Sequence, residues 1–233
     1  MASHQSLVTS HGFFVTGTDT GVGKTLVSCA LLRAYSARGL RAVGMKPVAA
    51  GARLEAGRLV NDDVTALTAA GNVSAAVDLV SPYCFTPAIA PHIAAARAGV
   101  TIELGRVSRA YRALAGLADR VVVEGAGGFR VPLSSDRDMA DLAVELALPV
   151  VMVVGMRLGC LNHALLTADA VRAAGLPLHA WVANHMIPRM AYAEENVAAL
   201  EERLGAPLLA RIGYSANADA ALIACDLKAD LMQ

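Results

Sequence analysis

Residues 17–25 read Gly17-Thr18-Asp19-Thr20-Gly21-Val22-Gly23-Lys24-Thr25. An apolar run, Gly12 to Gly17 (GFFVTG), leads into this stretch, and Thr25 to Ala37 continues it with Leu, Ala, Val and Cys at helical spacing. Strand, glycine-rich turn and helix in that order form the context a phosphate-binding loop requires. Glycines let backbone N–H groups converge on phosphate oxygens, and the start of the helix adds a favourable dipole. In such a loop Lys24 reaches the β- and γ-phosphates and Thr25 offers a hydroxyl to Mg²⁺. The count departs from the common GxxxxGK[ST] pattern. Thr18 stands where its first glycine would be, and five residues separate Gly17 from Gly23.

Working outward, the rest of the chain alternates strand-like and helix-like stretches. Strands are expected at Leu40–Lys46, Arg120–Glu124, Pro149–Gly155, Leu178–Asn184 and Pro207–Ile212. Helices are expected at Val64–Ala70, Glu103–Ala118, Met139–Leu148, Asn162–Ala174 and Glu194–Leu204, with a weak one from Asp219. Asn61 with Asp62 and Asp63 caps the start of the first of these. Ala49 to Leu59 reads as a Gly-containing, mobile loop, and Gly125 to Gly128 as a turn closing a strand. End-to-end alternation gives an α/β fold: a mostly parallel sheet with helices on both faces, in a single domain over residues 1–233. Residues 1–11 form a polar N-terminal arm without the basic-then-apolar layout of a signal peptide. Functional residues of such a sheet belong at the carboxyl ends of its strands.

Composition narrows the function classes. The 233 residues are 55% hydrophobic and 17% charged, which excludes a disordered chain. Lys+Arg 20 balances Asp+Glu 20, and aromatics are 4%, so neither a phosphate-tracking nor a base-stacking nucleic-acid surface is expected. The most apolar segment, Leu146 to Met156, is bounded by Glu145 and Arg157. It falls short of the roughly 20 residues a membrane span needs and fits a strand buried on both faces. Cys29, Cys84, Cys160 and Cys225 form no CxxC pair, which argues against zinc or a redox dithiol. Reduced thiols, without a signal-peptide layout or an apolar span in the sequence, are what a cytoplasmic chain is expected to show.

Candidate metal ligands follow from the hardness of Mg²⁺, which takes one or two carboxylates with phosphates and waters. Glu124 ends the strand Arg-Val-Val-Val-Glu ahead of a glycine run, where an acid facing the nucleotide belongs. Asp63 reads equally as a helix-start acid or as a ligand. Lys46 ends a strand before Pro47, either as a solvated lysine or as a charge for a transferring phosphoryl group.

These motifs together, GTDTGVGKT, GMKPVAAG, Ala90-Pro91-His92, VEGAGGF, RLGCLNHALLT and WVAN, resemble the dethiobiotin synthetase family from about Phe13 to Ala216. The longer glycine loop is that family's own variant. The resemblance implies an ATP- and Mg²⁺-dependent cyclo-ligase of biotin biosynthesis with CO₂ as co-substrate. It closes the cyclic urea of dethiobiotin on 7,8-diaminononanoate, through a carbamate and a carbamic-phosphoric anhydride. It implies catalytic roles for Lys46, Lys24 and Thr20, and Thr25, Asp63 and Glu124 on the metal. It implies ATP contacts from Gly21, Val22, Gly23, Lys24, Thr25, Leu26, Asp63, Glu124, Gly125, Ala126 and Gly127. The adenine side falls to Asn184, His185, Gly213, Tyr214 and Ser215. Substrate contacts fall to Ala50, Gly127, Leu158, Gly159, Cys160 and Asn162. It further implies a homodimer with active sites at the subunit interface, where the substrate carboxylate meets the helix opened by Leu158–Asn162 of the partner. Asp19 also matches the family.

The chain departs from that pattern at three places. Ala50 stands where members often carry a hydroxyl residue, Gly21 where some carry glutamate, and Gly213-Tyr214-Ser215 where some carry Pro-Trp. One competing reading is a regulatory or partitioning P-loop ATPase, which would carry an extra early loop lysine that Thr18-Asp19 does not supply. Another is an amide-forming synthetase of cobalamin biosynthesis, whose added glutaminase domain the chain is too short to hold.

Overall fold

The computed structural model describes residues 12–215 and 218–232. The polar arm 1–11 and Ala216 at the end of the family resemblance lie outside the described residues. In chain order the elements are β1 (Gly12–Gly17), α1 (Lys24–Ala37), β2 (Ala42–Met45), β3 (Val48–Ala50), β4 (Arg53–Glu55), β5 (Arg58–Val60) and α2 (Asp62–Ala70). There follow α3 (Val77–Val80), β6 (Tyr83–Phe85), α4 (Pro91–Arg97), α5 (Leu104–Leu117), β7 (Arg120–Gly128), α6 (Met139–Leu146) and β8 (Val150–Met156). The last are α7 (Cys160–Ala173), β9 (Leu178–His185), α8 (Ala193–Arg203), β10 (Leu208–Ile212) and α9 (Ala220–Asp226).

Six strands make one parallel sheet in the order β10-β9-β8-β1-β7-β2. Alternation along each strand divides the core between its faces. Phe13, Val15, Val122, Val151 and Val182 pack against α1, α2 and α9, and Phe14, Val121, Val123 and Val150 against α5 and α6. Met152, Val154 and Trp181 meet α7 and α8. Helices on both faces bury every position of β8, which explains its unbroken apolar run. Among the described residues no helix is long and apolar enough to cross a membrane.

Two local expectations are corrected. The segment 49–59 is structured: β4 and β5 form an exposed antiparallel hairpin. Its two-residue turn, Ala56-Gly57, has φ of 47° and 78°, the left-handed pair that suits strand twist. The glycines after Glu124 continue β7 as far as Gly128, because Gly128 pairs with Gly17 beyond an irregularity in the β1 register. A small β3–β6 ladder and the helices α3 and α4 were not expected from sequence.

The topology sets the site. The chain leaves β1, crosses to the far edge at β2, and later inserts β7 between them. This brings the carboxyl ends of β1, β7 and β2 side by side, with β8 on the other flank of β1.

Candidate active site

The loop between β1 and α1 turns through Gly21 (φ 74°) and Gly23 (φ 94°), a backbone region that side chains rarely adopt. Gly23 is constrained a second time: a Cβ there would lie 2.2 Å from Asn184 Nδ2. Lys24 opens α1 as a buried residue, and its Nζ donates to the Asp19 carbonyl at 3.0 Å. Burial, and then the nearby charge of Lys46, pushes the Lys24 ammonium down to about 8.

Lys46 follows β2 and is 5% exposed. Its Nζ lies 2.6 Å from Glu124 Oε1 and 2.8 Å from Asp63 Oδ2, and 3.4 Å from the Gly125 carbonyl. Burial alone would favour neutral Lys46, but Glu124 and Asp63 outweigh it and hold the ammonium above the usual lysine range. Glu124 in β7 is 1% exposed. Burial pushes its carboxyl up, against the pull of Lys46. At Asp63 burial works in the same upward sense but is overcome by Lys46, Thr25 and Lys24, so the carboxyl stays below its usual range.

Thr25 Oγ1 sits 2.8 Å from Asp63 Oδ1 and 2.9 Å from Glu124 Oε1, and its single proton can serve one of them at a time. Asp63 is positioned by the start of α2. The Asn61 side chain accepts from the N–H groups of Asp63 and Val64, and its Nδ2 donates to the Ala50 carbonyl at 3.1 Å. So Asn61 ties β3 to the helix that carries the carboxylate. Asp63 is thus both a first-turn acid and a member of the cluster.

Among the described residues no group of three or more His, Cys, Asp or Glu forms a metal cage. The donor set is two carboxylates and a threonine hydroxyl, which suits a cation that completes its shell with phosphates and water. Glu124 Oε2 is buried without a hydrogen-bond partner, so one carboxylate oxygen in the cluster is still to be satisfied.

The remaining candidates fall into three places. Thr20 sits on the loop facing Gly127, where a Cβ would stand 3.4 Å from Thr20 Oγ1; Gly127 has φ 64°. Gly125, Ala126 and Gly127 continue β7 past Glu124 on that side. Val22, between the two glycines of the turn, is buried, and Leu26, in the first turn of α1, packs against the same core. Asn184, next to last in β9, donates from Nδ2 to the Val22 carbonyl at 2.8 Å. His185 ends β9, and Gly213, Tyr214 and Ser215 follow β10 at the same sheet end, where Ile212 pairs with Asn184. Tyr214 is about half exposed. Ala50 ends β3, and its carbonyl accepts from Asn61, the cap of the helix that carries Asp63.

The turn from β8 to α7 holds the third group. Leu158 is 97% exposed, whereas Cys160 is buried with Sγ towards Asn196 Oδ1. The Cys160 N–H donates to the Arg157 carbonyl and the His163 N–H to Gly159, leaving Leu161 and Asn162 to supply the remaining first-turn N–H groups of α7. Sequence reasoning missed Arg157. Its Nη2 pairs with Asp19 Oδ2, and Asp19 Oδ1 accepts from the Thr20 N–H, so this residue joins the β8–α7 turn to the phosphate loop. The signal was there: a cation closing the most apolar strand at its carboxyl end. Asn61, read only as a cap, also links two elements of the site.

Comparison with known proteins bears on what the cluster does. The family model described as an AAA domain matches residues 11–221. The chain is 51% identical over 216 residues to the ATP-dependent dethiobiotin synthetase BioD of Aromatoleum aromaticum, covering 93% of this chain and 96% of that one. It is 56% identical over 209 residues to the protein of that name from Nitrosospira multiformis, covering 90% and 91%. Among solved structures, a ParA family ATPase from Chlorobium tepidum TLS superposes with TM-score 0.56 at 16% identity, covering 92% of this chain and 90% of that one. The MinC:MinD cell division complex of Aquifex aeolicus gives TM-score 0.56 at 13% identity, covering 88% and 82%. At such identities these two speak for a P-loop NTPase-like fold alone.

Proposed function

This chain belongs to the ATP-dependent dethiobiotin synthetase family, and we infer that the charged cluster at the ends of β1, β2 and β7 is where it performs that family's reaction. It is a ligase of biotin biosynthesis that forms carbon–nitrogen bonds at the expense of ATP. The carrying observation is Lys46. A buried ammonium, held charged beside a phosphate loop, is what a reaction between two anions needs.

The substrates are ATP, CO₂ and 7,8-diaminononanoate. One amine adds to CO₂ and loses a proton, giving a carbamate. A carbamate oxygen attacks the γ-phosphorus as the bond to the β-phosphate oxygen breaks, and ADP departs. The second amine then attacks the carbonyl carbon, the bond to the phosphorylated oxygen breaks, and phosphate and a proton leave the closed urea. Carbamate and γ-phosphate repel each other, so Lys24 and Lys46 would lower the barrier by standing between them. Gly125 to Gly127 would let the reacting groups lie against β7 backbone, with Thr20 facing them from the loop. Thr25, Asp63 and Glu124 would hold Mg²⁺, which supplies charge neutralisation and polarises the γ-phosphoryl group. The lone Glu124 Oε2 and the oxygen-only donor set support that assignment.

Asn184 would read the adenine edge together with His185 and the Gly213–Ser215 segment. One amide hydrogen is taken by Val22, so Oδ1 is the acceptor for the exocyclic amine. The substrate carboxylate would meet the first turn of α7 in a partner subunit, on backbone N–H groups of the Leu158–Asn162 segment. Exposed Leu158 and Leu166 give this side the apolar surface a homodimer would cover. We assign the chain a single P-loop domain over 1–233 and a cytoplasmic location.

The test is ADP release by purified protein with MgATP, bicarbonate and the diamine, each left out in turn. Turnover that ignores the diamine would replace this reading with a regulatory or partitioning ATPase.

A further inference from the structure

Lys46 shares its partners with the proposed metal. Its Nζ contacts both Asp63 and Glu124, and the Glu124 oxygen it contacts is the one that also faces Thr25 Oγ1. We propose that the Lys46 ammonium and a divalent cation are alternative counter-ions of the Asp63–Glu124 pair, so that the metal enters only as Lys46 moves from the carboxylates to incoming phosphate. The proposal rests on the assignment of Thr25, Asp63 and Glu124 to the metal.

Charge accounting leads to it. Two carboxylates face two ammonium groups, Lys24 and Lys46, in a largely buried setting. A divalent ion added to that set would leave two positive charges in excess, and buried excess charge is heavily disfavoured. ATP restores the balance because its phosphates give both lysines a new partner. Lys46 is therefore a positioning charge for the carboxylates before it is a catalytic one for phosphoryl transfer. No step leaves Asp63 or Glu124 without a cation. The half-exposed side of Asp63 is the open approach for an entering ion, whereas the Glu124 side chain is 1% exposed.

The test is Mn²⁺ binding to nucleotide-free protein, read from the paramagnetic resonance of free Mn²⁺. Wild type should bind weakly. Lys46→Met and Lys46→Gln should each bind more tightly, on the order of tenfold or more, the scale of one lost charge repulsion near a protein surface. Adding Glu124→Gln to Lys46→Met should abolish the gain. A second arm adds a non-hydrolysable ATP analogue and compares wild type with Glu124→Gln and Asp63→Asn. If both variants weaken metal binding with the analogue while Lys46→Met and Lys46→Gln match wild type without it, the metal assignment stands and the exchange is overturned. If neither variant changes metal binding with the analogue, the assignment and the exchange fall together. Should both Lys46 variants fail to fold, the Lys46 ¹⁵Nζ resonance of wild type decides. It should shift when Mg²⁺ and a non-hydrolysable ATP analogue are added together and hold still with Mg²⁺ alone; no shift with both overturns the proposal.

Discussion

Raising the pH should weaken ATP binding through Lys24, by an amount the structure sets. The Lys24 ammonium is pushed down to about 8, first by burial and then by the charge of Lys46. Phosphate binding requires the charged form and pulls that value back up. The sign follows: affinity is full below the free protein's value and falls as pH rises through it, until the nucleotide-bound value is reached. With a pKa of about 8, roughly nine-tenths of Lys24 is charged near pH 7 and roughly one-tenth near pH 9. ATP affinity should therefore drop about tenfold between those conditions, and by up to another tenfold per further pH unit. Binding should also take up close to one proton per nucleotide near pH 9. Titration calorimetry in buffers of different ionisation enthalpy reads both quantities. Lys46 does not blur the result, because its carboxylates keep it charged across the window. Cys29 and Tyr35, both pushed up to about 12 by burial, titrate above it. Constant affinity to about pH 10, or binding without proton uptake, would refute the reasoning about Lys24.

Other perturbations reach the remaining links. Glu124→Gln should lower kcat by about 10² to 10³, the loss seen when one preorganised electrostatic group is removed, and steady-state kinetics measures it. Its effect on folding should be smaller than on catalysis because Lys46 keeps Asp63, and a thermal melt separates the two. Asn61→Ala removes the cap on α2 and the tether to Ala50, so stability should fall by roughly 1–2 kcal/mol in denaturant unfolding. The same variant should raise the Mg²⁺ concentration needed for half-maximal turnover, because Asp63 loses its anchor. Gly23→Ala places a Cβ against Asn184 in a left-handed backbone, so it should cost on the order of 1–3 kcal/mol and abolish binding of a fluorescent ATP analogue.

The phosphate loop, the strand ends and the capped start of α2 were legible because their determinants are local. Gly23, Lys24 and Thr25 sit together in sequence, and Asn61 caps the residues immediately after it. The meeting of Lys46 with Glu124, 78 residues apart, was a matter of sheet order. The insertion of β7 between β1 and β2 is set by the packing of the whole chain, and no spacing rule contains it. The family resemblance supplied roles for these residues but not their direct pairing. The hairpin at β4–β5 escaped notice because its turn is Ala56-Gly57, and Ala is a rare occupant of a left-handed position that Asn or Asp usually announces. The glycines after Glu124 read as a turn because glycine weakens strands. Pairing of Gly128 with Gly17 at the sheet centre outweighs that local preference. Arg157 passed unnoticed since a cation after an apolar strand is ordinarily solvated, and only its contact with Asp19 distinguishes it.

The central claim is that ATP is spent on the carbamate of the diamine at the Lys24–Lys46 cluster. Carbon dioxide carrying ¹⁸O in both oxygens tests it most directly, with the released phosphate and the ring product read by mass spectrometry. The account predicts a labelled oxygen in the phosphate, handed over when the carbamate oxygen is phosphorylated and then leaves, and the other in the urea carbonyl. Phosphate that carries no label from CO₂ but takes its oxygen from solvent water would mean that ATP is merely hydrolysed, and would contradict the account.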